Sequence, residues 1–140
     1  MNKFISIIGC LLLLTFFSCQ KEKVVMADEP IKDISGSWKI IKAMRNGTDL
    51  TGRFGFADFR IKFSDSAYTI SNPVPFITSK DGNWRFDDPV YPFQITFTSS
   101  GDAKTSTVLY PVVNGVRNIV ISFSPGCTLN TYQYTLQKDN

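Results

Sequence analysis

Asp81, Asp87 and Asp88 are the most closely set carboxylates in the chain. Two carboxylates can cleave a glycosidic bond when held about 5–10 Å apart across a cleft, one as acid and one as base or nucleophile. Asp81-Gly82 and Asp87-Asp88-Pro89 are instead turn-forming contexts, and all three are assigned to turns. A calcium loop needs oxygen donors at regular spacing over about twelve residues, which the stretch from Asp81 to Asp88 does not supply. The chain has no histidine. That removes the commonest general base, any Ser-His pair and a favoured metal ligand. Cys127 has no second mature thiol to pair with, and is read as a buried, inert thiol. No catalytic residue, metal or cofactor is expected, so the chain is not read as an enzyme.

Aromatic residues carry the functional lead. They make up 14% of the chain, with 12 Phe, 5 Tyr and 2 Trp. Flat rings can stack on a sugar or line an apolar hollow. Tyr68, Tyr110, Tyr132 and Tyr134 are candidates for this, although most such rings belong to a core. Trp84 with Arg85, and Tyr91 between Val90 and Pro92, border expected loops and are the first choices. Phe54 and Phe56 follow, since Gly52 and Gly55 give their segment freedom to open.

Those residues need a scaffold, and 140 residues suit one domain. The net charge of +3 is small and dispersed, which argues against a nucleic-acid partner. The N-terminus looks like an address. One base, Lys3, precedes an uncharged apolar run from Phe4 to Phe17, then Ser18-Cys19 and the polar Gln20-Lys21-Glu22-Lys23. This is the layout of a secretory signal peptide, and the run is shorter than a membrane span needs. Phe16-Phe17-Ser18-Cys19 resembles a bacterial lipobox, which implies lipidation at Cys19. Cys10 sits in a similar frame, but cleavage there would leave Leu11 to Phe17 on the mature protein. Gln20-Lys21-Glu22 resembles the short signal that sends Bacteroidetes-type lipoproteins to the outer leaflet. We therefore divide the chain into a lipoprotein signal peptide (1–18), a flexible tether (19–30) and a folded domain (31–140).

Beyond Ile31 the apolar residues alternate with period two, the mark of half-buried strands. Phe59-Arg60-Ile61-Lys62-Phe63, Phe93-Gln94-Ile95-Thr96-Phe97 and Tyr132-Gln133-Tyr134-Thr135-Leu136 show it most clearly. Ile119, Ile121 and Phe123 continue it. Asn46-Gly47 and Asn114-Gly115 are strong signals for tight hairpins, whose two central residues need positive φ. Strands are expected near 37–44, 58–64, 67–72, 76–79, 83–87, 92–98, 103–110 and 116–124, with 131–138 a ninth. The fold class is all-β: a small antiparallel up-and-down barrel of about eight strands, wide enough to hold a small ligand. Thr48 to Asp58 fits neither period, and reads as a loop with a helical turn, a lid over one barrel end.

The domain begins Ile34-Ser35-Gly36-Ser37-Trp38, and Gly36-x-Trp38 resembles the lipocalin signature. That signature implies a glycine at the chain's turn and a Trp plugging the closed end of the barrel. Lipocalins also pack an Arg over that Trp; here the last strand offers Lys138, and Arg117 lies one strand earlier. The wider pattern is similar to the lipocalin-like domain of unknown function in Bacteroidetes-type lipoproteins. The matching stretches are 34–50, 81–84, 87–93, 111–115 and 123–127. The resemblance implies a surface-facing, outer-membrane lipoprotein, with a periplasm-facing one as the alternative. It implies no reaction, but an association with glycan-import machinery. The leading expectation is a lipid-anchored, non-catalytic protein binding a small apolar molecule or glycan fragment at an open barrel end. The rival is an accessory subunit docking on an outer-membrane transporter or glycan-utilisation complex, which an exposed apolar patch would mark.

Overall fold

The computed structural model describes residues 30–139. The expected signal peptide, the Cys19 lipidation site and all but the last residue of the expected tether lie outside the described residues. Among the described residues no helix is long and apolar enough to cross a membrane.

Ten strands follow in chain order: β1 (Gly36–Arg45), β2 (Thr48–Asp49), β3 (Arg60–Ser64), β4 (Ala67–Ser71), β5 (Gly82–Phe86), β6 (Gln94–Ser99), β7 (Asp102–Leu109), β8 (Val112–Val113), β9 (Val116–Phe123) and β10 (Tyr132–Lys138). All pairings are antiparallel. Eight of the ten, all but β2 and β8, form a closed barrel in which each strand pairs with the next and β10 returns to β1. The short β2 and β8 each pair with a single neighbour beyond the ring. Closure leaves no edge strand in the ring to recruit another chain. The expected all-β barrel is therefore what the chain forms, consistent with a lipocalin-like fold.

The alternating residues point where their period predicts, except Phe93, which precedes β6 and is exposed. Ile61, Phe63, Ile95, Phe97, Ile119, Ile121, Tyr134 and Leu136 are all buried. β1 breaks the rule: its buried residues are Trp38, Ile40 and then Ala43. A bulge between Ile40 and Lys42 inserts one residue and flips the phase. Asn46-Gly47 and Asn114-Gly115 take positive φ at both positions, as their sequence predicted. Ser100-Gly101 does the same.

The connections alternate between the two barrel ends. At one end lie the entering segment 30–35, the turn at Asp65-Ser66, the connection 87–93 and the hairpin 110–115. At the other lie Asn46-Gly47, the 48–59 segment, the 72–81 loop, Ser100-Gly101 and the 124–131 loop. We call these the entry end and the far end. Trp38 closes the entry end, 3% exposed, with its indole N–H donating to the Ile34 carbonyl at 2.7 Å. Gly36, at φ +113°, turns the chain into β1. Lys138 stands opposite Trp38 in the register, while Arg117 donates instead to the Tyr110 carbonyl.

The strand expected over 76–79 is absent; those residues form a loop. Pro73 and Pro75 remove two backbone donors just ahead of it, which no ladder accommodates. Its apolar side chains are drawn into the barrel instead. Val74 and Ile77 are buried, and Phe76 meets Phe59, Phe97, Phe123 and Tyr134 with ring centroids 5.2–5.9 Å apart. The Tyr134 hydroxyl donates to the Pro75 carbonyl, and the Tyr68 hydroxyl to Thr78 Oγ1 at 3.2 Å. The far half of the interior is thus filled by the chain itself.

Candidate functional site

The far end carries an open groove of about 340 Å³ between the 48–56 segment, Pro75 and the start of β10. The Asn46-Gly47 turn sends the chain back along β1 as β2, and Asp49 then fixes the bend. Asp49 Oδ1 accepts from the Thr51 amide and hydroxyl at 2.8 and 2.6 Å, and these bonds hold its carboxyl below the usual range. Residues Phe56–Asp58 form a single 3₁₀ turn, so the expected loop with a helical turn is present. Phe56 is 1% exposed and packs on Tyr134 at 5.3 Å, making the groove's floor. Phe54 is 70% exposed and meets Phe56 edge-on at 6.1 Å.

Phe54 also has φ +57°. A bulky residue in the left-handed region is strained, typically by 1–3 kcal/mol. Gly55 follows with positive φ of its own, so the strained pair aims the Phe54 ring outward. Two further residues complete the groove. Arg45 and Tyr132 face one another across β1 and β10, and the guanidinium stacks on the ring at 5.6 Å. Arg45 Nε also donates to Asn130 Oδ1 at 2.7 Å, which fixes its direction. The Thr131 amide donates to Asn46 Oδ1 and the Asn46 amide to the Thr131 carbonyl, locking the first turn to the last loop. Arg53 lines the same groove. The surface can stack a ring or bury an alkyl segment while presenting two guanidinium groups.

The other expected ligand residues are elsewhere. Trp84 points into the barrel, packed on Phe63 at 5.2 Å and on Phe86 at 4.9 Å. Its neighbour Arg85 is exposed on the outer wall. Tyr91 stands exposed at the entry end. Only Phe54 and Phe56 of the five are brought together. Near Trp84, Phe86 packs on Tyr110 at 5.7 Å. The Trp84 indole N–H, the Tyr110 hydroxyl and Asn118 Oδ1 are buried with no hydrogen-bond partner among the described residues. Burial pushes the Tyr110 hydroxyl well above the ordinary tyrosine range.

The carboxylates act as turn fasteners. Asp81 accepts from the Ile70 amide, Asp87 from Phe93 and Gln94, and Asp88 from Val90 and Tyr91, all at 2.7–3.0 Å. Those amide bonds hold the Asp87 carboxyl below its usual range. Asp81 and Asp87 lie beyond opposite ends of β5. Among the described residues no group of three or more Cys, His, Asp or Glu could hold a metal. Cys127 corrects one expectation: its thiol is exposed, not buried. The tight turn that Pro125 and Gly126 impose, closed by the Cys127 amide on the Pro125 carbonyl, lifts it off the barrel.

A second far-end hollow, about 450 Å³, is lined by Phe76, Ile77, Lys104, Phe123 and Pro125 among others. Pro75 and Phe76 therefore stand as the partition between two shallow grooves rather than beside one deep calyx.

Residues 17–137 match the sequence profile of a family described as a domain of unknown function, DUF5004. No curated protein and no solved structure matches the chain.

Proposed function

The chain belongs to the DUF5004 family, and for this member we propose a non-catalytic binding role exercised at the far-end groove. The ligand is a small molecule with an apolar or sugar-ring face, such as a glycan fragment. It lies against Phe54 and Tyr132, with Arg45 and Arg53 placed to meet an acidic or hydroxyl-rich edge. The observation that carries this reading is the strained, solvent-facing Phe54 set over a largely apolar groove. A barrel of this kind is compatible with binding, and its filled far half moves the ligand from the interior to the rim.

In the same proposal Cys19 carries the lipid anchor and the domain stands on the outer membrane, facing the cell surface. The N-terminal pattern of base, apolar run and Ser18-Cys19 supports that address. Two or more acyl chains anchor stably where one holds only marginally.

The test is titration of the isotope-labelled protein with maltose and cellobiose oligomers and with a fatty-acid series, read by amide chemical shifts. Shifts confined to Arg45, residues 50–56 and Tyr132 are expected from one of these classes. Phe54→Ala should weaken that binding about tenfold, the equivalent of ~1.4 kcal/mol. No shift at the groove with any probe overturns the reading. Mass spectrometry of the cell-derived N-terminus checks the acylated Cys19.

A further inference from the structure

We propose that the entry end of the barrel is a membrane-resting face, seated on the bilayer to which the chain is anchored. This rests on the reading that Cys19 is acylated. Folded domains scatter single apolar residues over their surface, but a concentration of them marks a contact. Of the ten large apolar residues left exposed among the described residues, seven lie at this end. Ile31, 69% exposed, lies in the segment that enters β1. Tyr91 and Phe93 project from the 87–93 connection, where the Lys32 amide donates to the Pro89 carbonyl and ties the entering chain to it. Leu109 closes β7, and Val112, Val113 and Val116 make the adjoining β8–β9 hairpin. The Val108 amide donates to the Phe93 carbonyl, so the two groups share one rim.

The polar residues there suit an interface. Asp33, Asp87 and Asp88 turn their carboxylates back on backbone amides, while Asp65 stands exposed in its turn. Lys32 and Arg117 stand on the same rim as the apolar side chains, the mixture of rings, aliphatics and cations found at headgroup level. The bilayer is preferred over a second copy or a protein because of where the chain enters. Residues 20–29 separate Cys19 from Pro30. At about 3.3–3.6 Å per residue such a tether reaches ~40 Å at most. It issues from the apolar rim itself, so a short tether presents this face to the lipid. A rim too weak to bind vesicles from solution becomes effective once tethering sets a local concentration on the millimolar scale. The far-end groove then points away from the membrane.

The experiment uses the full chain produced in a host that processes lipoproteins, in a Cys127→Ser background, with a nitroxide at Val112→Cys or Leu129→Cys. The protein is placed in phosphatidylethanolamine/phosphatidylglycerol vesicles, and accessibility to oxygen is compared with that to a nickel chelate. The oxygen-to-nickel ratio should be several-fold higher at Val112 than at Leu129, which sits at the far end. A label at Tyr91→Cys should show the same contrast and lose it on adding V112D and V113D, while the anchor persists. An acylated Cys19 with the Val112 label fully in water overturns the inference and leaves the anchor standing. An unmodified N-terminus overturns the anchor reading. Without the anchor the short tether no longer presents this face to lipid, and the inference falls with it. Burial of the Val112 label without lipid, in a dimer or against a membrane protein, also overturns it.

Discussion

The ring of Phe76 lies parallel to that of Tyr134, with planes 12° apart and centroids 5.9 Å apart, while the Tyr134 hydroxyl donates to the carbonyl of Pro75 next door. One strand residue thus holds the invading loop by its face and by its edge. Phe76→Ala removes a ring from the centre of four others. It should cost roughly 3 kcal/mol, the low end for a Phe-to-Ala change because Phe76 is only partly buried. Urea unfolding should show a lower midpoint at unchanged slope. The vacated space is apolar and should take up a small aromatic such as benzene, visible as a midpoint recovered by the additive.

Gly82 is the residue that the seam between β4 and β5 cannot do without. That seam has two paired positions, Ala67 with Asn83 and Tyr68 with Gly82. A Cβ on Gly82 would sit 2.1 Å from the Thr98 carbonyl oxygen, which is backbone and cannot swing aside. Gly82→Ala should destabilise the barrel by about 3 kcal/mol or more. Hydrogen exchange should locate the damage at β4–β5, while β9–β10 stays protected. Gly101→Ala, where a Cβ meets open space, serves as the control and pays only for its positive φ.

Asp139 fastens the end of β10 to Lys39 at 3.0 Å and to Arg60 at 2.5 Å. The Lys39 bond, then that of Arg60, holds its carboxyl below the ordinary value of 3.8. Below about pH 3.8 the unfolded chain takes up a proton that the folded chain still refuses, so stability falls as pH drops. Asp139→Asn should flatten this acid limb of the stability profile. Thermal melts from about pH 5 to about pH 2 measure it.

At high pH the sign reverses. Burial raises the Tyr134 and Tyr110 hydroxyls above the ordinary 10.0. Above about pH 10 the unfolded chain releases those protons and the folded chain keeps them, so stability declines as pH rises. Ultraviolet titration should show part of the tyrosine absorbance appearing only as the barrel opens. Tyr134→Phe should remove its share of that late step.

Much of the barrel was legible because it rests on local chemistry. The alternation in 59–63, 119–123 and 132–136 placed those side chains inside, and Asn-Gly pairs formed the turns their φ angles require. The strand expected over 76–79 is a loop: Phe76-Ile77 has the composition of a strand, and only Pro73 and Pro75 warn that it cannot join a ladder. The bulge in β1 is invisible to composition, since Ile40 and Ile41 are both apolar and only the packing decides which turns inward. Trp84 bordered an expected loop yet lies inside, because Phe63 and Phe86 pack on it. Arg45 and Tyr132 were not linked in the sequence, although a signal existed. An up-and-down barrel must pair its first and last strands, and the register of that pairing sets these two opposite each other.

The ring is closed by its first and last members, and the Asp139 amide donates to the Ser37 carbonyl at 2.8 Å. Its two ends therefore meet only after everything between them has been synthesised. No shorter stretch can complete the structure, so a nascent chain stays unfastened until β10 arrives. The same meeting of ends means a peptide linker could join them and new ends be cut at Ser100-Gly101, with the wall intact.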